Sequence, residues 1–253
     1  MTSPSAFLLP DWPAPPGVHA AVTTRLQPGT RAASEEPFDL GPRDGHDPAA
    51  VARNRATLVR ALDLPSTPCW LRQVHGTGVF DADAARAPAG AEPEADAAVA
   101  RRANVVLAIL TADCLPVLLC ADDGSAIAAA HAGWRGLAGG VLESAVAALG
   151  VPPARVLAWL GPCIGAASYE VGADVRDAFA GEDTGANAAF APNRPGHWLC
   201  DLVALARRRL ARAGVTHVHG GGFDTFADPR FPSYRRDGRT GRFASLIWRD
   251  LRS

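Results

Sequence analysis

Two histidines and one cysteine in this sequence have the side chains needed to bind a transition metal. Cys114 follows His75 by 39 residues and His131 follows Cys114 by 17 residues, so the three must come from different structural elements. Two imidazole nitrogens and one thiolate suit Zn²⁺, with copper as the competing ion. Three protein ligands leave a fourth position for water, which is the pattern of catalytic zinc sites. Cys163 is the alternative fourth ligand, and it would make the site structural.

Other polar and aromatic side chains lie near these three positions in the sequence. Asp113 precedes the cysteine, and we predict that it orients a ligand imidazole or accepts a proton, the alternative being a strand-end cap. Trp134 is either a core residue or a stacking surface for a flat ring. The arginines that could bind an anion are Arg25, Arg72, Arg135, Arg235 and Arg236. The two consecutive arginines beside Tyr234 favour an oxyanion most strongly.

Three short apolar segments must position these side chains. Residues 105–110, 115–120 and 126–130 each have the length of a strand. Continuous apolar runs of this length predict strands that are covered on both faces. The polar candidates fall near the ends of these runs, where a buried scaffold usually displays reactive groups.

Caps and periodicity predict the remaining elements. Asp47 followed by Pro48 predicts the start of a helix, and Asp201 predicts the N-cap of another that extends to Ala213. We also predict strands at 18–23, 69–71, 156–160, 216–219 and 243–248, helices at 139–149 and 175–179, and loops at 26–47, 82–97 and 181–197. This irregular alternation predicts one α+β domain over residues 1–253, with mixed β-sheet flanked by helices.

The composition bounds the class of protein. The chain has 253 residues, of which 48% are hydrophobic and 20% charged, as in soluble globular proteins. Its formal net charge of −1 gives no global field that attracts nucleic acid or an anionic membrane. We find no apolar run near the ~20 residues of a membrane span and no signal-peptide pattern. Five scattered cysteines indicate a reducing compartment, so we expect a cytoplasmic protein.

The sequence contains no lysine, and all 25 of its basic side chains are arginine. This excludes a lysine Schiff base and the lysine of a phosphate-binding P-loop. Any bound anion must therefore be held by arginine, by backbone N–H groups or by a metal.

Five motifs occur in order along the chain. They are Gln73-Val-His-Gly76, Thr111-Ala-Asp-Cys-Leu-Pro116, His131-Ala-Gly-Trp-Arg-Gly136, Gly161-Pro-Cys-Ile-Gly165 with Tyr169-Glu-Val-Gly172, and Ser233-Tyr-Arg-Arg-Asp-Gly238 with Thr240-Gly-Arg242. Together they resemble the purine nucleoside phosphorylase family formerly described as laccase-domain or polyphenol-oxidase proteins. Bacterial members of that family are also called peptidoglycan-editing factors. The resemblance runs from about Thr23 to Trp248.

The resemblance implies an α+β domain that binds zinc through His75, Cys114 and His131, the set that ligand chemistry also indicates. It implies phosphorolysis of adenosine, inosine, guanosine and methylthioadenosine, and deamination of adenosine to inosine. The expected partners are small-molecule purine nucleosides and phosphate, without nucleic acid or membrane, and the oligomeric state is open. We predict a catalytic set of His75, Asp113, Cys114 and His131. The predicted substrate-binding residues are Arg25, Gln73, Trp134, Arg135, Tyr234 and Arg235.

The chain departs from the family pattern in three places. Asp39 precedes Leu40 and Gly41 where the family usually has Asn-Leu-Gly, which puts any role of that asparagine in doubt here. Asp224 replaces the cysteine of a Cys-Thr pair, and Pro232 stands where an aromatic residue is common.

Three other functions remain open from the sequence. A copper phenol oxidase of the laccase type needs about ten histidines, and this chain has seven. A cysteine hydrolase would use Cys114 with His131, on peptidoglycan precursors for example. A non-catalytic binding module for cell-wall enzymes is the third.

Overall fold

A computed structural model describes residues 5–29, 38–41, 47–84, 92–181 and 183–250. Parts of the predicted loops, at 30–37, 42–46, 85–91 and 182, lie outside the described residues. The strands are β1 (Phe7–Leu8), β2 (Val18–Thr23), β3 (Val79–Asp81), β4 (Ala97–Ala100), β5 (Val106–Thr111), β6 (Leu115–Ala121), β7 (Ile127–Ala132), β8 (Val156–Leu160), β9 (Glu170–Gly172), β10 (Phe190–Pro192), β11 (His197–Cys200), β12 (His217–Gly220) and β13 (Phe243–Arg249). The helices are α1 (Pro48–Ala61), α2 (Trp134–Gly139), α3 (Val141–Leu149), α4 (Ala173–Ala180), α5 (Leu202–Arg212) and α6 (Tyr234–Asp237), with 3-10 turns at Pro153–Arg155 and Thr184–Ala189.

The strands form three sheets. A six-stranded sheet has the order β12-β8-β6-β7-β4-β3, with parallel pairs at its two edges and antiparallel pairs between them. A four-stranded antiparallel sheet has the order β1-β2-β13-β5, and a small antiparallel sheet has the order β10-β11-β9. The prediction of mixed sheet flanked by helices in one α+β domain is confirmed.

The central strand β6 is buried on both faces. Val117 and Leu119 belong to the core that the six-stranded sheet shares with α3 and α5. Leu118 and Cys120 belong to the core between the six-stranded and four-stranded sheets. Because β6 is covered on both sides, every position along it is apolar, as the sequence predicted. A further apolar cluster, which includes Leu58, packs α1 on the other face of the four-stranded sheet.

The helix caps that were predicted from sequence are present. Asp47 Oδ1 accepts a hydrogen bond from Ala49 N at 2.9 Å, and Asp201 Oδ1 accepts one from Ala204 N at 2.8 Å. The predicted helix at 139–149 is wrong in its first part, because Gly140 (φ +100°) separates α2 from α3. Among the described residues, no helix is both long and apolar enough to cross a membrane.

Three other local predictions are wrong, wholly or in part. The predicted strand at 69–71 is reduced to an isolated bridge between Cys69 and Leu107. The predicted loop at 82–97 extends one residue too far, since β4 begins at Ala97. The predicted loop at 181–197 contains the strand β10 at 190–192. Strands of three or four residues have little periodic signal in sequence, so their pairing is decided by tertiary packing.

Candidate active site

The three predicted ligands converge. His75, Cys114 and His131 each offer a nitrogen or sulfur atom within 4.8 Å of the others, and among the described residues they form the one such group of His, Cys, Asp or Glu. Cys114 Sγ lies 3.9 Å from His75 Nε2, and the two imidazole rings meet edge to face with centroids 4.7 Å apart. Ligand atoms around a tetrahedral zinc lie roughly 3.5 Å apart, so the three side chains would move closer together to bind the ion. Cys163 is not in the group.

Each ligand comes from a different element. His131 lies on β7 opposite Pro116, Cys114 lies in the turn that joins β5 to β6, and His75 lies in the loop before β3. His75 and Asp113 have positive φ angles of 62° and 91°. Such angles are uncommon outside glycine and are often found at functional sites, where packing holds the strained backbone.

Gly133 leaves room for the ligands. A Cβ atom at this position would lie 2.9 Å from His75 Cδ2, 3.1 Å from Cys114 Sγ and 3.6 Å from His131 Cε1. Any side chain would therefore fill the space beside the atoms that would bind a metal. Together with the donor set, this space shows that the residues present fit a zinc ion.

Asp96 was not predicted as a site residue, yet it connects two of the ligands. Its carboxylate is fully buried and accepts a hydrogen bond from His131 Nδ1 at 2.8 Å. It also accepts backbone N–H bonds from Val74 at 3.1 Å, His75 at 2.9 Å and Gly76 at 2.6 Å. Burial raises the pKa of this carboxyl, but the contacts with His131 and the backbone outweigh it and lower the pKa below its ordinary value. Asp96 thus fixes the orientation of the His131 ring and the conformation of the His75 loop.

We expect Asp96→Asn to lower zinc affinity about 10- to 100-fold, as for other residues that orient a metal ligand. An amide would turn N–H donors towards backbone N–H groups, and it would lose the charged contact with His131. Competition with a chromophoric chelator measures the affinity, with the exposed Asp123→Asn as a matched control. Equal affinity in both variants would show that Asp96 does not position the ligands.

The Cys114 thiol and the His131 imidazole shift each other's protonation. Burial raises the pKa of Cys114, but the adjacent imidazoles of His131 and His75 outweigh it and lower the pKa to about 6. Burial lowers the pKa of His131, but the Cys114 thiolate and the Asp96 carboxylate raise it to about 9. Near neutral pH the metal-free site therefore holds a thiolate beside an imidazolium.

This pairing predicts the pH dependence of metal binding. Between pH 6 and pH 9, Cys114 is already deprotonated and His131 carries the proton, so zinc should displace about one proton from the pair. Release should rise below pH 6, as the thiol becomes protonated, and fall above pH 9. Isothermal titration calorimetry in buffers of different ionisation enthalpy measures the number of protons released when zinc binds. A release that does not change with pH would contradict the assignment of these ligands.

Two cavities share His75 and Cys114 in their linings, and His131 lines one of them. One, here called the arginine cavity, has a volume of about 490 Å³ and is lined by His75, Ala112, Asp113, Cys114, Trp134, Arg135, Ile164, Tyr169, Leu202, Tyr234, Arg235 and Arg242. The other, here called the glutamate cavity, has about 400 Å³ and is lined by Gly41, Leu71, Arg72, Gln73, His75, Glu92, Leu110, Thr111, Ala112, Cys114, His131 and Arg242. Both volumes lie in the range of small-molecule sites.

The arginine cavity brings together most of the predicted binding residues. The guanidinium carbon of Arg135 lies 4.3 Å from the centre of the Trp134 ring, and that of Arg235 lies 5.3 Å from the Tyr169 ring. Among the described residues neither arginine forms an ion pair, so both leave positive charge at the cavity. Arg236, which was also predicted as an anion candidate, instead donates to the backbone oxygens of residues 225, 226 and 231.

Three predicted residues have other contacts. Both amide atoms of Gln73 bond to the backbone of Leu110 at 2.8 Å, at the edge of the glutamate cavity. Asp113 lines the arginine cavity, but its carboxylate accepts from Thr225 Oγ1 at 2.6 Å and Arg235 N at 2.7 Å. The imidazole contact expected of Asp113 is made by Asp96. Arg25 lines neither cavity.

The arginine at position 25 instead supports the short helix α6. Its side chain donates to Asp237 at 2.8 Å and to the backbone oxygen of Phe231 at 3.3 Å. These contacts tie β2 to the helix that carries Tyr234 and Arg235. A binding role for Arg25 stays a prediction.

The fold and the ligand group define the chain as an α+β protein with a candidate catalytic metal centre. Residues 19–250 match the family described as multi-copper polyphenol oxidoreductase laccase. The chain is 54% identical to a purine nucleoside phosphorylase of Xylella fastidiosa, covering 97% of each chain, and 51% identical to one of Pseudomonas aeruginosa, covering 96% of this chain and 98% of that one. A crystal structure of a Neisseria meningitidis protein is similar with a TM-score of 0.90 at 48% identity, covering 97% of this chain and all of that one. The chain belongs to this laccase-domain family, as its five motifs predicted.

Proposed function

We propose that the protein is a zinc-dependent purine nucleoside phosphorylase. The observation that carries the proposal is the arginine cavity, in which two arginines without ion pairs among the described residues open onto the ligand group. The names of the relatives from Xylella and Pseudomonas support the same activity. The proposed substrates are adenosine, inosine, guanosine and methylthioadenosine, each with phosphate.

The side chains would supply positioning and charge. Arg135 and Arg235 would bind phosphate by charge-assisted hydrogen bonds, and their stacking on Trp134 and Tyr169 holds each guanidinium in place. A phosphate oxygen bonds to C1′ of the ribose while the bond from C1′ to the purine nitrogen breaks. The base leaves and takes up a proton, and ribose 1-phosphate forms, or methylthioribose 1-phosphate in the case of methylthioadenosine. Holding the two substrates in contact supplies much of the acceleration in such reactions.

Zinc is the metal that we propose for His75, Cys114 and His131, with copper as the competitor for the same donors. When bound, it supplies a Lewis acid between the two cavities. Asp96 keeps the Nδ1 atom of His131 hydrogen-bonded, so that the other ring nitrogen is the one that binds the metal. A laccase-type oxidation would need several copper ions, whereas one ligand group is found among the described residues.

Deamination of adenosine to inosine is the second proposed activity. In this reaction water adds at the ring carbon that carries the amino group, and ammonia leaves. The observation that favours it is the set of three protein ligands without a fourth in the described residues, which is the open arrangement of zinc hydrolases.

A cysteine hydrolase remains the alternative, because His131 lies between Cys114 and Asp96. The order thiolate, imidazole, carboxylate is also found in thiol hydrolases. Turnover of a peptidoglycan precursor by metal-free protein, abolished by alkylation of Cys114, would favour this function over the phosphorylase.

Phosphate dependence tests the proposed function. We expect Arg135→Ala and Arg235→Ala each to raise the KM for phosphate about tenfold or more, since a charge-assisted hydrogen bond contributes roughly 1.5–3 kcal/mol. The KM for inosine should change much less. Arg176→Ala is the control, because this half-buried arginine also stacks on an aromatic ring, that of Trp198, but lines neither cavity. If neither cavity variant alters the dependence on phosphate, the arginine assignment is wrong.

A further inference from the structure

Arg242 lies where the two cavities meet. It lines both of them, and its neighbours in both linings are His75, Ala112 and Cys114. Among the described residues no other arginine lines both cavities, since Arg135 and Arg235 line one and Arg72 the other. The motif Thr240-Gly-Arg242 was recognised in the sequence, but no function was predicted for its arginine.

The segment around residue 39 holds the backbone of Arg242 in place. Asp39 Oδ1 accepts hydrogen bonds from Arg242 N at 2.8 Å and from Gly41 N at 3.0 Å. Leu40 N donates to the carbonyl oxygen of Arg242 at 3.1 Å. These contacts hold the two backbone segments together beside the ligand group.

The absence of a side chain at Gly41 leaves room for the side chain of Arg242. A Cβ atom at Gly41 would lie 2.7 Å from Arg242 Cγ and 2.8 Å from its Cβ. The methylene groups of Arg242 therefore lie directly against the backbone of residue 41. Asp39 replaces the asparagine usual in the family, yet an asparagine oxygen could accept the same two bonds, so the support does not depend on that difference.

We propose that Arg242 is a third phosphate-binding residue and binds the phosphoryl group on the side that faces the nucleoside. The inference rests on the proposed function and adds a residue to it. In this proposal the nucleoside occupies the glutamate cavity. Phosphate held by Arg135 and Arg235 in the arginine cavity must reach the ribose, and Arg242 is the cation that lines both cavities. A planar guanidinium can bind two phosphate oxygens at once, which orients the attacking oxygen as well as neutralising its charge.

The test uses the zinc-loaded protein and two variants. Arg242→Gln keeps the first methylene groups against Gly41 and removes the charge. Arg242→Lys keeps the charge but removes the planar guanidinium that can bind two phosphate oxygens at once. The exposed Arg102→Ala, whose side chain pairs with Asp83 at 3.1 Å, is the control for loss of one positive charge. Zinc content and circular dichroism establish that each variant is loaded and folded.

Two measurements are made on each protein. The first is calorimetric titration with inorganic phosphate, in which Arg242→Gln should bind about tenfold or more weakly than wild type and Arg102→Ala equally. The second is inosine phosphorolysis, in which Arg242→Gln should lose about tenfold or more in kcat and in apparent affinity for phosphate, with the KM for inosine within about threefold. Arg242→Lys should recover phosphate affinity more than kcat.

The outcomes separate this proposal from the proposed function. If wild type binds phosphate but does not phosphorolyse any purine nucleoside, the function fails while the phosphate titration still decides the role of Arg242. Unchanged phosphate binding and turnover in Arg242→Gln, or no phosphate binding by wild type, would overturn the role. If Arg242→Gln does not fold, Arg242→Lys tests the role instead. Equal kcat for Arg242→Lys and wild type would contradict the proposal that the guanidinium orients phosphate.

Discussion

Replacing Cys114 by serine should abolish zinc binding and nucleoside turnover together while the fold remains intact. Serine keeps the side-chain volume nearly constant but replaces a soft thiolate with a poor zinc ligand. Turnover should fall roughly 10³-fold or more, as when a catalytic group is removed. The flanking strands β5 and β6 are stabilised by burial of apolar surface, which does not require the metal. His131→Ala should behave likewise.

Circular dichroism melting with and without chelator, beside an inosine phosphorolysis assay, measures both effects. A structural zinc would give another result, because its binding free energy would be part of the free energy of folding. If Cys114→Ser and His131→Ala are unfolded at about 25 °C, or are folded and fully active, the active site has been misplaced.

Gly133→Ala should lower zinc affinity by about 100-fold or more without unfolding the protein. The backbone at Gly133 has φ −62°, which any residue adopts, so the added methyl group acts only through space. It would press on His75 Cδ2 at 2.9 Å and Cys114 Sγ at 3.1 Å and hold these ligands apart. Ligands displaced in this way lose the near-tetrahedral arrangement that zinc prefers.

Elemental analysis and chelator competition on Gly133→Ala measure the loss. Gly222→Ala is the matched control, because a Cβ at Gly222 has no atom within 4 Å. Wild-type zinc affinity in Gly133→Ala would show that the three ligands do not bind the metal in the arrangement described. Loss of affinity in the control as well would point to a general effect of the substitution.

The sequence predicted that His75, Cys114 and His131 would form one group, because the ligand chemistry of these side chains does not depend on the fold. Two imidazoles and a thiolate near strand ends indicate a metal site wherever they meet, and the long apolar runs of β5 and β6 identify the strands that position Cys114. The burial of both faces of β6 follows directly from its lack of polar residues. These predictions needed only residue types and periodicity.

The residue that orients the ligands could not be predicted in the same way. Asp113 is adjacent to Cys114 in sequence, but its backbone has a positive φ and its carboxylate contacts Thr225 and Arg235. Asp96 lies in an alanine-rich segment that was predicted as a loop, and only the pairing of β4 with β7 brings it to His131. Proximity in sequence therefore pointed to Asp113, whereas the carboxylate that contacts the imidazole of His131 is that of Asp96.

The arginines show the same limit. Arg235 and Arg236 are consecutive, yet one faces the arginine cavity and the other binds backbone oxygens of the adjacent loop. Arg242 reaches the site because Asp39 binds its backbone and Gly41 leaves room for its side chain. Both residues lie about 200 positions earlier in the sequence. The absence of lysine left arginine as the only fully charged side chain for an anion, but only the fold shows which arginines face the cavities.

One assay tests the central proposal most directly. Protein loaded with zinc, and shown by elemental analysis to hold close to one zinc per chain, is incubated with inosine and phosphate. We expect hypoxanthine and ribose 1-phosphate in equal amounts, with neither formed when phosphate is omitted or the metal is removed. Zinc-loaded, folded protein that forms no ribose 1-phosphate from inosine, adenosine or guanosine, and no methylthioribose 1-phosphate from methylthioadenosine, would contradict the proposed function.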